Sequence, residues 1–202
     1  MASSKTEIAN LALGHLGTLK EIVNLDTEKS AEAITLRRFY ETARKATLQD
    51  YYWPFATKFA DLGLVASSPT DEWDYSYQYP SDCLILRRIL SGMRNDSHQS
   101  RVRYRVVNGT SGTLIYTDEQ NACAEYTEDI TDVSVFPSTF VLAFSLRLAH
   151  YGARKLTKGD PFKMKNEIAR EYNIAITTAA SRLNNEEVRD EEVDSEFIRV
   201  RS

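Results

Sequence analysis

The sequence contains few of the residues that build disulfide-linked or metal-held folds. It has two cysteines, Cys83 and Cys123, with no Cys-X-X-Cys pair, and three histidines without metal-ligand spacing. We therefore predict two buried free thiols and no metal or cofactor. No apolar run approaches membrane-spanning length, and residues 1–5 lack an apolar signal region. These absences predict a protein without membrane association that is synthesised in a cytoplasm.

Recognisable catalytic patterns are also missing. The glycine-containing stretch at 108–112 lacks the lysine and the spacing of a phosphate-binding loop and is typical of a hairpin turn. There is no nucleophile elbow, no HExxH motif and no set of kinase motifs. Hydrolysis by a pair of carboxylates stays open as an alternative, because the 29 acidic residues make such a pair easy to find. The residues favour a protein that is not an enzyme.

Charge is distributed unevenly along a chain of ordinary soluble composition. The net charge of -4 argues against a protein that wraps nucleic acid over a broad surface. A chain of 202 residues can bury a sizeable core without disulfides or metals. Residues 87–105 nevertheless contain six arginines against one aspartate. Residues 186–196 contain seven acidic residues against one arginine. Each of these two segments is therefore a candidate interaction surface.

The most distinctive pattern is aromatic. Residues 73–80 read WDYSYQYP, and this alternation places every second ring on one face of a strand. A second aromatic group lies around Pro54, where a helical stretch should end. We predict that these rings are structural core anchors: Trp53, Phe55, Trp73, Tyr75, Tyr77 and Tyr79. The first two should lie where helices meet sheet.

Periodicity and capping residues predict the fold class. Ser4 and Glu7 form a capping box, Asp26 is a candidate N-cap for a long helix, and Asp160-Pro161 should start the last helix. Residues 67–71 are typical of a turn. We predict an α+β protein, mainly an α-helical bundle of about four helices, with an inserted antiparallel β region at about 57–133 and an extended C-terminal tail.

The same pattern predicts three parts. Residues 1–56 and 134–185 should form a helical body, residues 57–133 an inserted β subdomain, and residues 186–202 a flexible acidic C-terminal tail. The tail ends in an alternating segment that could add a strand to the sheet edge of a partner. This predicted partner-binding segment comprises Phe197, Ile198, Arg199, Val200 and Arg201.

Arg101, Arg103 and Arg105 alternate along one predicted strand. Three interpretations stay open for this arginine strand. It could contact phosphates, it could form a subunit interface that meets carboxylates, or it could be an exposed strand face without a partner.

Two stretches of the chain, 43–56 and 73–84, resemble the tail tubular protein A, or head-to-tail adaptor, family of short-tailed bacteriophages. In that family a helix ending in W-x-F-A precedes an aromatic strand ending in Y-P-x-D-C-L. The corresponding residues here are 53–56, WPFA, and 79–84, YPSDCL. The helix at 9–17 and the paired helices after Pro137 are also similar, so the likeness covers most of residues 5–183. The usual Pro-Trp dipeptide is replaced by Tyr52-Trp53-Pro54, and residues 186–202 share no motif.

The resemblance implies a structural virion protein. Such proteins form a homo-oligomeric ring, typically of twelve subunits, that docks under the portal protein, receives the tail nozzle or tube protein and lines the channel through which genomic DNA leaves. By resemblance we expect a head–tail connector, located in the virion and synthesised in the host cytoplasm. The alternation of residues 197–201, and not the resemblance, makes them the predicted portal-binding segment. The alternatives are a peptidoglycan hydrolase, a label that some relatives carry, and a DNA-binding adaptor that uses the arginine strand.

Overall fold

The computed structural model of the protein describes residues 4–92, 102–109, 112–157 and 159–184. The helices are α1 Lys5–His15, α2 Ala31–Asp50, α3 Ser138–Leu156 and α4 Pro161–Asn184. The strands are β1 Thr57–Asp61, β2 Leu64–Thr70, β3 Trp73–Gln78, β4 Cys83–Leu90, β5 Tyr104–Gly109, β6 Gly112–Thr117 and β7 Cys123–Glu128. Short 3-10 turns at Pro54–Ala56 and Val133–Val135 connect helices to strands on both sides.

Local capping chemistry sets several helix ends. The Ser4 hydroxyl accepts a hydrogen bond from the Glu7 backbone N–H at the start of α1. Gly17, at a φ of 67°, lies just beyond the last turn of that helix, where a left-handed conformation is required. The Asp160 carboxylate accepts hydrogen bonds from the N–H groups of Phe162 and Lys163 at the start of α4. These starts and stops confirm the predicted ones.

The four helices share one hydrophobic core. Its largest buried members include three phenylalanines on and before α3, namely Phe136, Phe140 and Phe144. α3 packs against each of the other three helices. Polar contacts also link three of these helices. Arg147 on α3 forms an ion pair with Asp50 on α2 and donates a 3.1 Å hydrogen bond to Tyr172 on α4. Every helix thus buries its apolar face against α3.

The strands form two antiparallel sheets around a second core. One sheet has the order β1-β7-β4 and the other β2-β3-β6-β5. Tyr77 on β3 lies opposite Ile115 on β6, and Tyr126 on β7 lies opposite Leu86 on β4. All four side chains belong to one buried cluster, to which both sheets contribute. The sheets therefore stabilise each other.

The predicted fold class is wrong. The sequence favoured a mainly α-helical bundle with an inserted β region, whereas the described chain is a sheet-rich α+β fold with 47% helix and 26% strand. The physical reason is the second core, because the strands bury apolar side chains between two sheets and so form a hydrophobic core separate from that of the helices. The predicted extended tail, residues 186–202, lies outside the described residues.

Two element boundaries also differ from the prediction. The long helix begins at Ala31 with Ser30 as its N-cap, because side chains of Asn10, Thr6 and Arg37 hold the backbone of residues 22–28 in a loop. Asp26 is therefore not a cap. The predicted turn at 67–71 is largely the end of β2, which pairs with β3 through two register shifts. Within the described ranges, no helix is both long and apolar enough to cross a bilayer.

Removal of the Trp53 ring should destabilise the whole fold. Trp53 is fully buried, so Trp53→Ala should lower the free energy of unfolding by about 3–5 kcal/mol, measured by urea denaturation. Phe162, which is 71% exposed, provides the control, and Phe162→Ala should change that free energy by less than about 0.5 kcal/mol. If Trp53→Ala does not fold, Trp53→Phe serves as the milder variant. Wild-type stability in either Trp53 variant would refute its role as an anchor.

Candidate functional site

The first aromatic motif forms the junction between helices and sheets. The Trp53 indole N–H donates a 2.8 Å hydrogen bond to the Thr47 carbonyl at the end of α2. Its ring meets Phe140 edge-on, with a centroid distance of 5.1 Å, and Phe55 packs on Phe140 at 5.0 Å. The chain then enters β1 at Thr57. Trp53 is therefore part of the helical core at this junction, and Phe55 is half-buried against that core.

The four rings of the aromatic strand have different environments. Tyr77 is buried between the sheets, and its hydroxyl donates a 2.9 Å hydrogen bond to the Glu119 carbonyl. Tyr75 and Tyr79 are half-buried against the same cluster. Trp73 is buried outside that cluster, under the Arg103 guanidinium. The alternation correctly identifies a strand, but its rings do not all share one core.

The second motif, at 79–84, fixes the entry to β4. The Asp82 carboxylate accepts hydrogen bonds from the Lys58 ammonium at 2.6 Å and from the Tyr126 hydroxyl at 3.0 Å. The hydrogen bond from Lys58 lowers the pKa of Asp82, and the same contact raises the pKa of Lys58. Burial raises the pKa of Tyr126 to about 12. Asp82 therefore stays ionised and ties three chain segments together.

A buried arginine connects α2 to the segment that follows β7. The side chain of Arg44 is 1% exposed, and its guanidinium donates hydrogen bonds to the Asp129 carboxylate at 2.6 Å and to the Ile130 carbonyl at 2.5 Å. It also contacts Glu41, one turn earlier on α2. Lys45 is the second cation on Asp129, at 3.0 Å. Burial alone would raise the pKa of Asp129, but these two cations outweigh it and lower that pKa.

The sequence contained a signal for Arg44 that periodicity reasoning missed. Tyr40, Arg44 and Leu48 lie four residues apart on the buried face of α2, so a charged residue occupies a position expected to be apolar. A charge in that position needs a partner from elsewhere in the fold. Nothing local to α2 identifies that partner as Asp129, 85 residues later.

The arginine strand lies at one edge of the four-stranded sheet. The Arg103 guanidinium stacks over Trp73 at 4.2 Å, forms a 3.1 Å ion pair with Asp118 and lies 4.0 Å from Glu72. Arg105 is exposed and has no ion pair within the described part of the chain. Arg101 falls in a segment outside the described residues. Of the three predicted interface arginines, one is thus already neutralised.

Arg105 lines an open hollow on the outer face of the same sheet. The hollow has a volume of about 340 Å³, and its wall also includes Trp73, Tyr116, Asp71 and Glu72. Two carboxylates thus accompany the arginine, so the hollow is not a basic pocket. A phosphate would meet both charges there.

The two cysteines lie far apart in the described structure. Both thiols are free and half-buried, where full burial was expected, and burial raises the pKa of each. They lie at opposite ends of the β4–β7 pairing, because Cys83 pairs with Glu128 and Cys123 with Leu90. No cluster of three metal-ligating side chains occurs in the parts of the chain that the structure describes.

The predicted partner-binding segment, Phe197, Ile198, Arg199, Val200 and Arg201, lies outside the described residues, which end at Asn184. Comparison with protein-family models and with curated proteins finds no match.

Loss of the buried ion pair should be costly. Asp129→Asn leaves Arg44 buried with a weaker partner, so the free energy of unfolding at pH 7 should fall by about 3 kcal/mol in urea denaturation. Asp118→Asn removes the exposed pair with Arg103 and should cost less than about 1 kcal/mol.

The pH dependence gives a second readout for the same variant. The pKa of Asp129 is depressed in the folded protein, so its stabilisation is present above the unfolded pKa of about 3.9 and is lost as pH falls through the folded value. Wild type should therefore lose more stability on acidification than Asp129→Asn. Parallel stability curves for the two proteins would contradict this role of Asp129.

Proposed function

We propose that this protein is a subunit of a head-to-tail connector ring of a short-tailed bacteriophage. In this role it docks beneath the portal protein, receives the tail nozzle or tube protein and surrounds the channel through which DNA leaves the capsid. The role is structural and not catalytic, and the typical ring of the resembling family has twelve copies.

The observation that carries the proposal is where the two resembling motifs lie. WPFA at 53–56 forms the aromatic junction between α2 and β1, and YPSDCL at 79–84 leads into β4 with Asp82 bound to Lys58 and Tyr126. The shared residues thus build the architecture of the subunit. Residues that maintain a rigid joint are what a ring subunit under mechanical load requires, whereas an enzyme family would share reactive side chains.

The arginine strand gives little support to a DNA-binding adaptor. Arg103 is held by Trp73 and Asp118, and Asp71 and Glu72 accompany Arg105. Duplex binding driven by counterion release needs several unpaired cations on one face. We therefore assign Arg103 and Arg105 no DNA-binding role in the ring.

Attachment should depend on the C-terminal segment. Deletion of residues 186–202 removes chain that follows α4 and none of the described core, so the free energy of unfolding should stay within about 0.5 kcal/mol of wild type. Attachment to portal-containing heads, measured by co-sedimentation, should be abolished.

The control for this deletion keeps the apolar end of the chain. Glu191→Gln with Glu192→Gln changes only the acidic stretch and should attach as wild type does. A deletion variant that occupies heads as well as the full chain would exclude the segment from docking.

The isolated subunit should be monomeric. Sequential assembly on a portal needs a subunit that does not polymerise in advance, and the net charge of -4 disfavours self-association. Light scattering at micromolar concentration should give one copy per particle, about 23.0 kDa. A stable ring in the absence of portal would contradict this assembly order.

A further inference from the structure

A second hollow opens where the chain passes between the two sheets. The β1–β2 connection at Leu62 and the β6–β7 turn at Gln120 and Asn121 both lead from one sheet to the other. The cleft beside them has a volume of about 550 Å³, which is typical of ligand clefts. Its lining combines apolar side chains with polar ones, namely Leu62, Leu64, Ser67, Asp74, Tyr75, Tyr77, Gln120 and Asn121.

A buried tyrosine fixes the turn that forms one wall of the cleft. The Tyr77 hydroxyl donates a 2.9 Å hydrogen bond to the Glu119 carbonyl and accepts a 3.4 Å hydrogen bond from the Ala122 N–H. The Ala122 carbonyl in turn accepts a 2.9 Å hydrogen bond from the Leu62 N–H. The backbone between Glu119 and Ala122 is therefore positioned before any ligand arrives, which lowers the ordering cost of binding.

Asn121, at the tip of this turn, has an unusual backbone conformation. In the described ranges it is the only residue other than glycine with a positive φ, at 57°. Glycine adopts this conformation without steric cost, whereas asparagine usually adopts it with a hydrogen bond from its side chain to nearby backbone. The Asn121 side chain forms no hydrogen bond within the described part of the chain. The turn thus carries an amide that the described fold does not use, at a backbone position that would favour glycine.

The other polar side chains of the cleft also lack internal partners. Ser67, Asp74, Gln120 and the Tyr75 hydroxyl form no side-chain hydrogen bond or ion pair across residues 4–92, 102–109, 112–157 and 159–184. These groups lie beside the half-buried ring of Tyr75. Amides and hydroxyls can both donate and accept hydrogen bonds, so the lining offers a ligand both kinds of contact.

We propose that this cleft binds a neutral saccharide without cleaving it. No cation is among the described residues of the lining, so a phosphate or carboxylate finds no counter-charge there. Sugar hydroxyls both donate and accept hydrogen bonds, which matches the amides of Gln120 and Asn121. The apolar face of a sugar ring packs on the Tyr75 ring, which supplies a large and rigid contact surface. Asp74 is the single carboxylate in the described lining, whereas glycoside hydrolysis normally uses two.

Solution NMR of the full chain tests this site. Maltose, cellobiose and diacetylchitobiose serve as probes at millimolar concentration, and at least one should shift the side-chain amide signals of Gln120 and Asn121 saturably. Asn121→Gly suits the left-handed backbone, so this variant should be at least as stable as wild type in urea denaturation. Its affinity for the same disaccharide should nevertheless fall about tenfold, because the amide is lost.

A matched pair of truncations locates the binding. Tyr75→Ala removes the ring from the cleft and should abolish binding. Tyr116→Ala removes a half-buried ring from the hollow on the outer face of the same sheet and should bind the disaccharide as wild type does. If Tyr75→Ala does not fold, Asn121→Gly decides the question alone.

Several outcomes would overturn the proposal. Binding that is unchanged in both Asn121→Gly and Tyr75→Ala would place the saccharide outside the cleft. Failure of every disaccharide to give saturable shifts would exclude the ligand class. Trilysine complements only the charge of Asp74, and its binding in place of the disaccharides would assign the cleft to a basic peptide. Release of monosaccharide from a probe would refute a purely binding role. None of these measurements uses heads, so the connector proposal is tested separately.

Discussion

The buried cation of Arg44 is the constraint on which the arrangement of helices and sheets depends. A guanidinium that is 1% exposed must be matched by acceptors, and these are the Asp129 carboxylate, the Ile130 carbonyl and Glu41. The first two belong to the segment that leaves β7, so the Arg44 side chain joins α2 to the chain that leaves the sheets. Trp53 adds an apolar contact between helices and sheets, because its ring packs on Phe140 of α3 and the residues that follow it lead into β1.

Signals between residues close in sequence predicted most helices and strands. Contacts between segments distant in sequence explain the errors. The Ser4 cap, the Asp160-Pro161 start and the alternating rings of β3 act within a few residues, so each could be identified. Ser67–Thr70 has the composition of a turn but pairs as a strand, because β3 offers a ladder next to it. Ser30 replaces Asp26 as the cap since contacts from α1 and α2 hold the preceding loop. The second core, and with it the sheet-rich fold class, arises from pairings between distant strands.

The sequence allowed the aromatic anchors to be located, but it could not show which contacts the arginines make. The positions of Trp53 and Phe55 follow from a helix that must end before Pro54. The state of Arg103 depends on Trp73 and Asp118, which adjacent strands bring beside it, so its neutralisation is visible only in the fold. In the proposed connector, the residues that resemble the adaptor family form the joint between helices and sheets.

The most direct test of the connector role is an image of the protein on its proposed partner. Purified protein would be added to portal-containing heads, and particles would be averaged around the portal axis by electron cryo-microscopy. The account predicts a closed ring of density directly beneath the portal, into which copies of this α+β subunit fit around an open channel. Heads without such density, or with density scattered over the capsid surface, would contradict it.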